Sequence, residues 1–365
     1  MRTLPVSFIF LFAVTLLQAQ PNPRFFIGSL TPGPTSLITY CELDRTTGRI
    51  TQLDTTGSLK GPGYLSLSPD GKHLYAVTQT NEIVGFQVNS NGKLSLVNRQ
   101  SSQGANPCYV SVHPSGRMAF VANYTGGSAA AFPITGDGQL QPATFVETYT
   151  GDGPSKPRQD KAHAHCALPS ADGHYLFVTD LGTDRIMNYA VDVRRGTVQP
   201  NPVQPYFSTT AGSGPRHLAV HPSGKFVFVI NELDATLSVL SLDKKGVLRT
   251  IQTVATLPPD FKEKNTAAAV RLHPNGRFVY VSNRGYNGIT AFRIGSDGTL
   301  TQVDAQTQTI HTPRDFNLDP SGRFLLVANM GTDTISVFSV NADTGKLTLL
   351  NEGFSVSKPT CLVFQ

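Results

Sequence analysis

The chain has 365 residues and a formal charge of +5, with 30 Lys/Arg and 25 Asp/Glu scattered along it rather than gathered into runs. That balance gives a nucleic-acid role no support, although a mild positive excess suits a small anionic ligand. Thirty-three glycines, 25 prolines and no sustained helical period argue for short strands and turns.

Residues 1–20, MRTLPVSFIFLFAVTLLQAQ, read as a secretory signal peptide: Arg2, an apolar run through Leu17, and the small residue Ala19 at the expected cleavage point. The apolar core is shorter than the roughly 20 residues a membrane span needs, and no cysteine near the cleavage point offers a lipid anchor. The expected product is an exported protein, periplasmic or secreted, with no stable membrane anchor and a single domain over 21–365. Its four cysteines, Cys41, Cys108, Cys166 and Cys361, have no metal-like spacing. Export would permit disulfides, but isolated cysteines in apolar strand patterns read as small core residues.

Beyond the leader, one unit recurs: an apolar strand, a turn ending in glycine, and a second apolar strand. Its copies are YLSLSPDGKHLYAVT, YVSVHPSGRMAFVAN, HCALPSADGHYLFVTD, HLAVHPSGKFVFVIN, AVRLHPNGRFVYVSN and DFNLDPSGRFLLVAN. The turn glycines are Gly71, Gly116, Gly173, Gly224, Gly276 and Gly322, spaced as four-stranded blades of a β-propeller require. Third and fourth strands follow, as in GITAFRIG and TLTQVDAQ, joined by SDG, a turn in which glycine accepts positive φ. The C-terminal KPTCLVF matches a first strand and the N-terminal RFFIGSL a second. Together they complete a seventh blade and close the ring, which leaves no free sheet edge. The fold expected is therefore an all-β, seven-bladed propeller of four-stranded blades, as a monomer.

Inner strands of a propeller line its channel, so positions counted from the turn glycines form rings at one mouth. Eight before the glycine stand Gly63, Cys108, His165, Arg216, Ala268 and Arg314, with Thr360 from the closing blade. Eight after stand Gln79, Tyr124, Leu181, Glu232, Arg284 and Met330; seven after stand Thr78, Asn123, Asp180, Asn231, Asn283 and Asn329. At the opposite turns, His113, His221 and His273 share their place with Ser68 and Asp319 and read as turn caps. Charge is concentrated at the first mouth. Two readings stand side by side there: a catalytic mouth, or solvated loop ends with an Arg216–Glu232 salt bridge inside one hairpin.

The stretches GDGPSKPRQDKAHAHCALPSADGHYLFVTDLGTDRI, FVINELDATLSVL and YVSNRGYNGITAF resemble the lactonase-type seven-bladed propellers. That family includes 6-phosphogluconolactonases and carboxy-muconate lactonizing enzymes, and the resemblance covers essentially the whole mature chain. It implies catalytic roles for His165, Arg216, Glu232 and Arg284, acting on a small anionic or polar lactone without a cofactor. Glu232 is then expected to be the general base, given a site dry enough to raise its pKa. The arginines would hold an oxyanion or carboxylate, and His165 would donate a proton to the ring oxygen. His163, Arg158, Gln159, Tyr124, Asn123, Asp180, Asn283 and Arg314 are the binding candidates. One histidine pair without clustered carboxylates is too little for a metal site, and no G-x-S-x-G signals a covalent route. The alternatives are a lactonizing enzyme of the same family and a non-catalytic propeller that binds a partner at its mouth.

Overall fold

The structure is a computed structural model describing residues 21–31 and 36–365; the expected signal peptide lies outside them. Seven antiparallel sheets follow one another around a ring. We number the blades in chain order. The inner strand of blade 1 is the C-terminal Pro359–Phe364, followed outward by Arg24–Ser29, Ser36–Leu43 and Ile50–Leu59. The pairs Phe25↔Phe364 and Gly28↔Cys361 thus join the two ends of the chain. The inner strands of blades 2 to 7 are Tyr64–Leu67, Pro107–Val112, Ala164–Pro169, Pro215–Val220, Thr266–Leu272 and Pro313–Leu318.

Burial follows position in the blade. The second strands Met118–Asn123 and Phe324–Asn329 are buried at every residue, because neighbouring blades cover both their faces. Outer strands such as Leu94–Ser101 are largely exposed. Blade 4 departs from the expected four strands. Its outer edge is split into Thr197–Pro200 and Tyr206–Ser208, both paired to Arg185–Asp192. Pro202 and Pro205 occupy the break, where a residue without an N–H cannot continue the ladder. All four cysteines are unpaired thiols, with Cys41, Cys166 and Cys361 buried.

The turn histidines do more than cap. Nδ1 of His113, His221 and His273 accepts the backbone N–H of Ser115, Ser223 and Asn275, at 3.0, 3.1 and 3.1 Å. That leaves Nε2–H to donate to the turn glycine carbonyl of the next blade, at 2.9 Å each: Gly173, Gly276 and Gly322. Each imidazole is thus a neutral staple between blades. Glycine is required at the receiving turn for two reasons. Gly322 has a φ of 72°, and a Cβ there would come within 2.5 Å of His273.

Burial lowers the His273 imidazole below its ordinary value, so the unfolded chain takes up the proton first. Its stabilisation is complete above about pH 6.5 and is lost as the pH falls below that value. His273→Ala is expected to cost about 1–3 kcal/mol near neutrality, and the deficit should shrink toward acid pH. Urea unfolding at a series of pH values checks this; a deficit that does not change with pH would contradict it.

Candidate active site

A register shift in the inner strands builds the mouth. Pro215 pairs with Asn231 and His217 with Ile230, so Arg216 is an extra residue, a β-bulge. The same shift falls at Cys108, His165, Arg314 and Thr360. A bulge breaks the strict in–out alternation, so consecutive residues can face the same side. One layer below the bulged residues, side chains from several blades meet across the channel. Tyr64 stacks on Tyr109 at 4.3 Å, and His217 packs edge-on against both. Arg271 bonds both oxygens of Asp315, at 2.9 and 3.0 Å, and reaches the Tyr64 hydroxyl at 3.1 Å. These groups form a floor beneath the site.

Above the floor lies a cavity of about 240 Å³ lined by Tyr124, Arg158, His165, Glu232, Arg284 and Arg314, with Gln79, Asn106, Cys108 and two glycines on the other wall. Glu232 is its centre. Its Oε1 accepts from Arg158 Nη2 at 2.6 Å, while Oε2 faces Arg216 Nε at 2.9 Å and Arg284 Nη2 at 3.1 Å. The Arg216 contact is an ion pair whose N–H is not aimed along it. Glu232 is only 2% exposed, and that burial is the largest influence on its carboxyl, acting upward. Arg284 and Arg216, with Arg158, overcome it and hold the carboxyl well below the usual carboxylate range. The expectation of a raised Glu232 pKa is therefore corrected: this carboxylate is a weak base.

His165 has the opposite character. Burial first, then the field of Arg216, holds its imidazole well below the ordinary value, so it is neutral at pH 7. Its Nδ1 lies 3.8 Å from Cys108 Sγ, and its ring packs edge-on against Tyr124. Burial likewise pulls Arg284 down to about 10, still a cation at neutral pH. Arg314 has no hydrogen bond or ion pair among the described residues, and its charge faces the cavity.

Not every candidate reaches the cavity. Arg216 is 1% exposed and does not line it; the side chain is spent on Glu232, His217 and the Ala268 carbonyl. Arg216 therefore faces the carboxylate behind the cavity wall rather than the cavity itself. Asn123 donates to Ser102 O and Ser128 Oγ, and Asn283 to Thr256 Oγ1. Asp180 accepts from His163 N, Gly182 N and Thr183 Oγ1. These residues precede the mouth ring by one, and strand alternation turns them away from the channel onto the connecting loops. Gln159 is buried too, bonding Leu181 O and Asp184 Oδ1 at 2.8 Å each. It pins the 151–162 loop that carries Arg158 over the mouth. His163 stacks on Tyr124 at 4.5 Å and backs the cavity wall.

His217 was not among the candidates. The bulge that turns it to the channel shows only in the strand register, so the repeat pattern by itself does not point to it. Removing Glu232 by Glu232→Gln leaves Arg216 and Arg284 uncompensated and is expected to cost about 3–5 kcal/mol. Arg158, with its side chain 41% exposed, should tolerate Arg158→Gln within about 1 kcal/mol. Urea unfolding of the two variants checks the contrast, and equal losses would contradict it.

Comparison with known proteins agrees with this architecture. The family model described as "Lactonase, 7-bladed beta-propeller" matches residues 24–364. The 6-phosphogluconolactonase of Bacillus subtilis (strain 168) is 32% identical over 345 residues, covering 93% of this chain and 97% of that protein. A 6-phosphogluconolactonase of Formosa agariphila is 33% identical, covering 92% and 98%. Among solved structures, the periplasmic gluconolactonase of Pseudomonas aeruginosa superposes with a TM-score of 0.87 at 30% identity, covering 94% of this chain and 98% of that one. With its ring closed by both chain ends and one charged mouth, this chain belongs to the seven-bladed β-propeller lactonase family.

Proposed function

We propose that the chain opens a small sugar-type lactone with water at this mouth. One observation carries the reading: a neutral imidazole, His165, lines the same cavity as a carboxylate that three arginines keep ionised. Opening a lactone requires a water to lose a proton, an oxyanion to be stabilised and a ring oxygen to gain a proton. His165 takes the proton of the attacking water, a role its neutral state allows. Arg284 and the unpartnered Arg314 face the carbonyl oxygen as it becomes an oxyanion. As the tetrahedral adduct collapses, the imidazolium returns the proton to the ring oxygen, the carbon–oxygen bond breaks, and a hydroxy acid leaves. Glu232 steadies the imidazolium during the step and holds Arg158 and Arg284 in place.

Four arginines, Arg158, Arg216, Arg284 and Arg314, surround one carboxylate, which favours a substrate or product carrying negative charge. The names of the relatives point to a gluconolactone, phosphorylated or free. Export through the leader at 1–20 would make an extracytoplasmic lactone the natural substrate.

Purified protein is expected to open gluconolactone, its 6-phosphate, or both, faster than buffer. His165→Gln should lower the rate ~10²–10⁴-fold while the fold persists, the range for loss of a positioned base. The KM for the phosphorylated compound should rise with salt more steeply than for the free one. Continuous titration of the acid released reads all three. No acceleration with any lactone would overturn the reading.

A further inference from the structure

His217 lies directly beneath the cavity and is 2% exposed. The mechanism above gives it no task. Because Arg216 occupies the bulge, these two sequence neighbours both face the channel. Arg216 Nη1 lies 3.2 Å from His217 Nε2. A guanidinium can only donate, so Nε2 must offer its lone pair, and a neutral imidazole then carries its proton on Nδ1. Nδ1 is buried and has no hydrogen-bond partner. Leaving a buried donor unpaired is unfavourable, and here it follows from committing the other nitrogen to Arg216.

The surroundings keep this state. The imidazole is enclosed by the rings of Tyr64 at 5.8 Å, Tyr109 at 5.2 Å and His165 at 5.2 Å. Burial, then Arg216, His165, Arg271 and Arg314, holds it well below the usual imidazole range. A protonated ring would point an N–H at the guanidinium and push Arg216 away from Glu232. The other acceptor on Arg216 Nη1 is the Ala268 carbonyl of the neighbouring blade. Two acceptors on one nitrogen fix the plane of the guanidinium, whose Nε faces Glu232 Oε2.

We propose that His217 is a positioning residue: through Nε2 it accepts from Arg216 and so fixes the guanidinium that holds Glu232. Only the kinetic part of its test rests on the lactone-opening reading. In ¹⁵N-histidine-labelled protein, with His217→Gln used for assignment, the His217 ring should show the Nδ1–H tautomer and fail to titrate between about pH 5 and 8. His217→Met fills the space with only a weak thioether acceptor and should lower kcat ~10- to 100-fold, as for loss of a hydrogen bond to a charged group, while KM changes little. Gln places its carbonyl oxygen as many bonds from the backbone as Nε2, so His217→Gln should retain most of kcat. An Nε2–H tautomer, or equal losses of kcat in the Met and Gln variants, would overturn the proposal. If the wild type opens no lactone, the tautomer still decides the role of His217, while the failure falls on the functional reading alone.

Discussion

An almost fully buried carboxylate stays ionised only if cations surround it, and the mouth of this propeller is organised around that requirement. Glu232 meets Arg158, Arg216 and Arg284 within 2.6–3.1 Å, each from a different part of the chain. Arg216 comes from a bulge, Arg284 from a strand end, and Arg158 from a loop pinned by Gln159. Arg216 and Arg284 could not remain where they are, desolvated and beside each other, without the carboxylate. The same field that holds Glu232 ionised also helps to keep His165 neutral. One cluster thus separates the two titratable groups by function: a fixed anion and an available base.

The repeat architecture makes that cluster possible. Five inner strands carry a one-residue bulge near the mouth, at Cys108, His165, Arg216, Arg314 and Thr360, so these blades can present two consecutive side chains to the channel. The upper layer carries Cys108, His165, Arg216 and Arg314; the lower carries Tyr109, Cys166, His217 and Asp315. The lower layer closes the floor with stacked tyrosines and the Arg271–Asp315 pair. At the other end, three histidine staples hold their turns to the next blade. Rigidity at both ends suits a site whose groups must sit at defined distances.

Much of this is legible in the sequence. The glycine turns recur with blade spacing, and KPTCLVF and RFFIGSL match the missing halves of one unit, so the closed ring follows from pattern alone. Counting from Gly224 brings Arg216 and Glu232 to the same mouth, and the structure places them 2.9 Å apart. What the pattern cannot carry is side-chain direction. Asn123, Asp180 and Asn283 sit one residue from the mouth ring, and alternation turns them into the loops. Burial of Arg216 depends on a bulge that register, not composition, reveals. The sign of the Glu232 shift depends first on Arg284 and Arg216, with Arg158 adding to them from 74 residues away along the chain. Desolvation alone would have raised that carboxyl, and only the count of neighbouring cations reverses it.

The pH dependence of kcat/KM for gluconolactone opening, corrected for the spontaneous reaction, tests the central claim most directly. A base held neutral by burial and neighbouring arginines predicts a profile without an inflection near the ordinary imidazole value of about 6.5. The activity should stay level from about pH 8 to below pH 6. An inflection near about 6.5 would contradict the assignment of a neutral His165 beside an ionised Glu232.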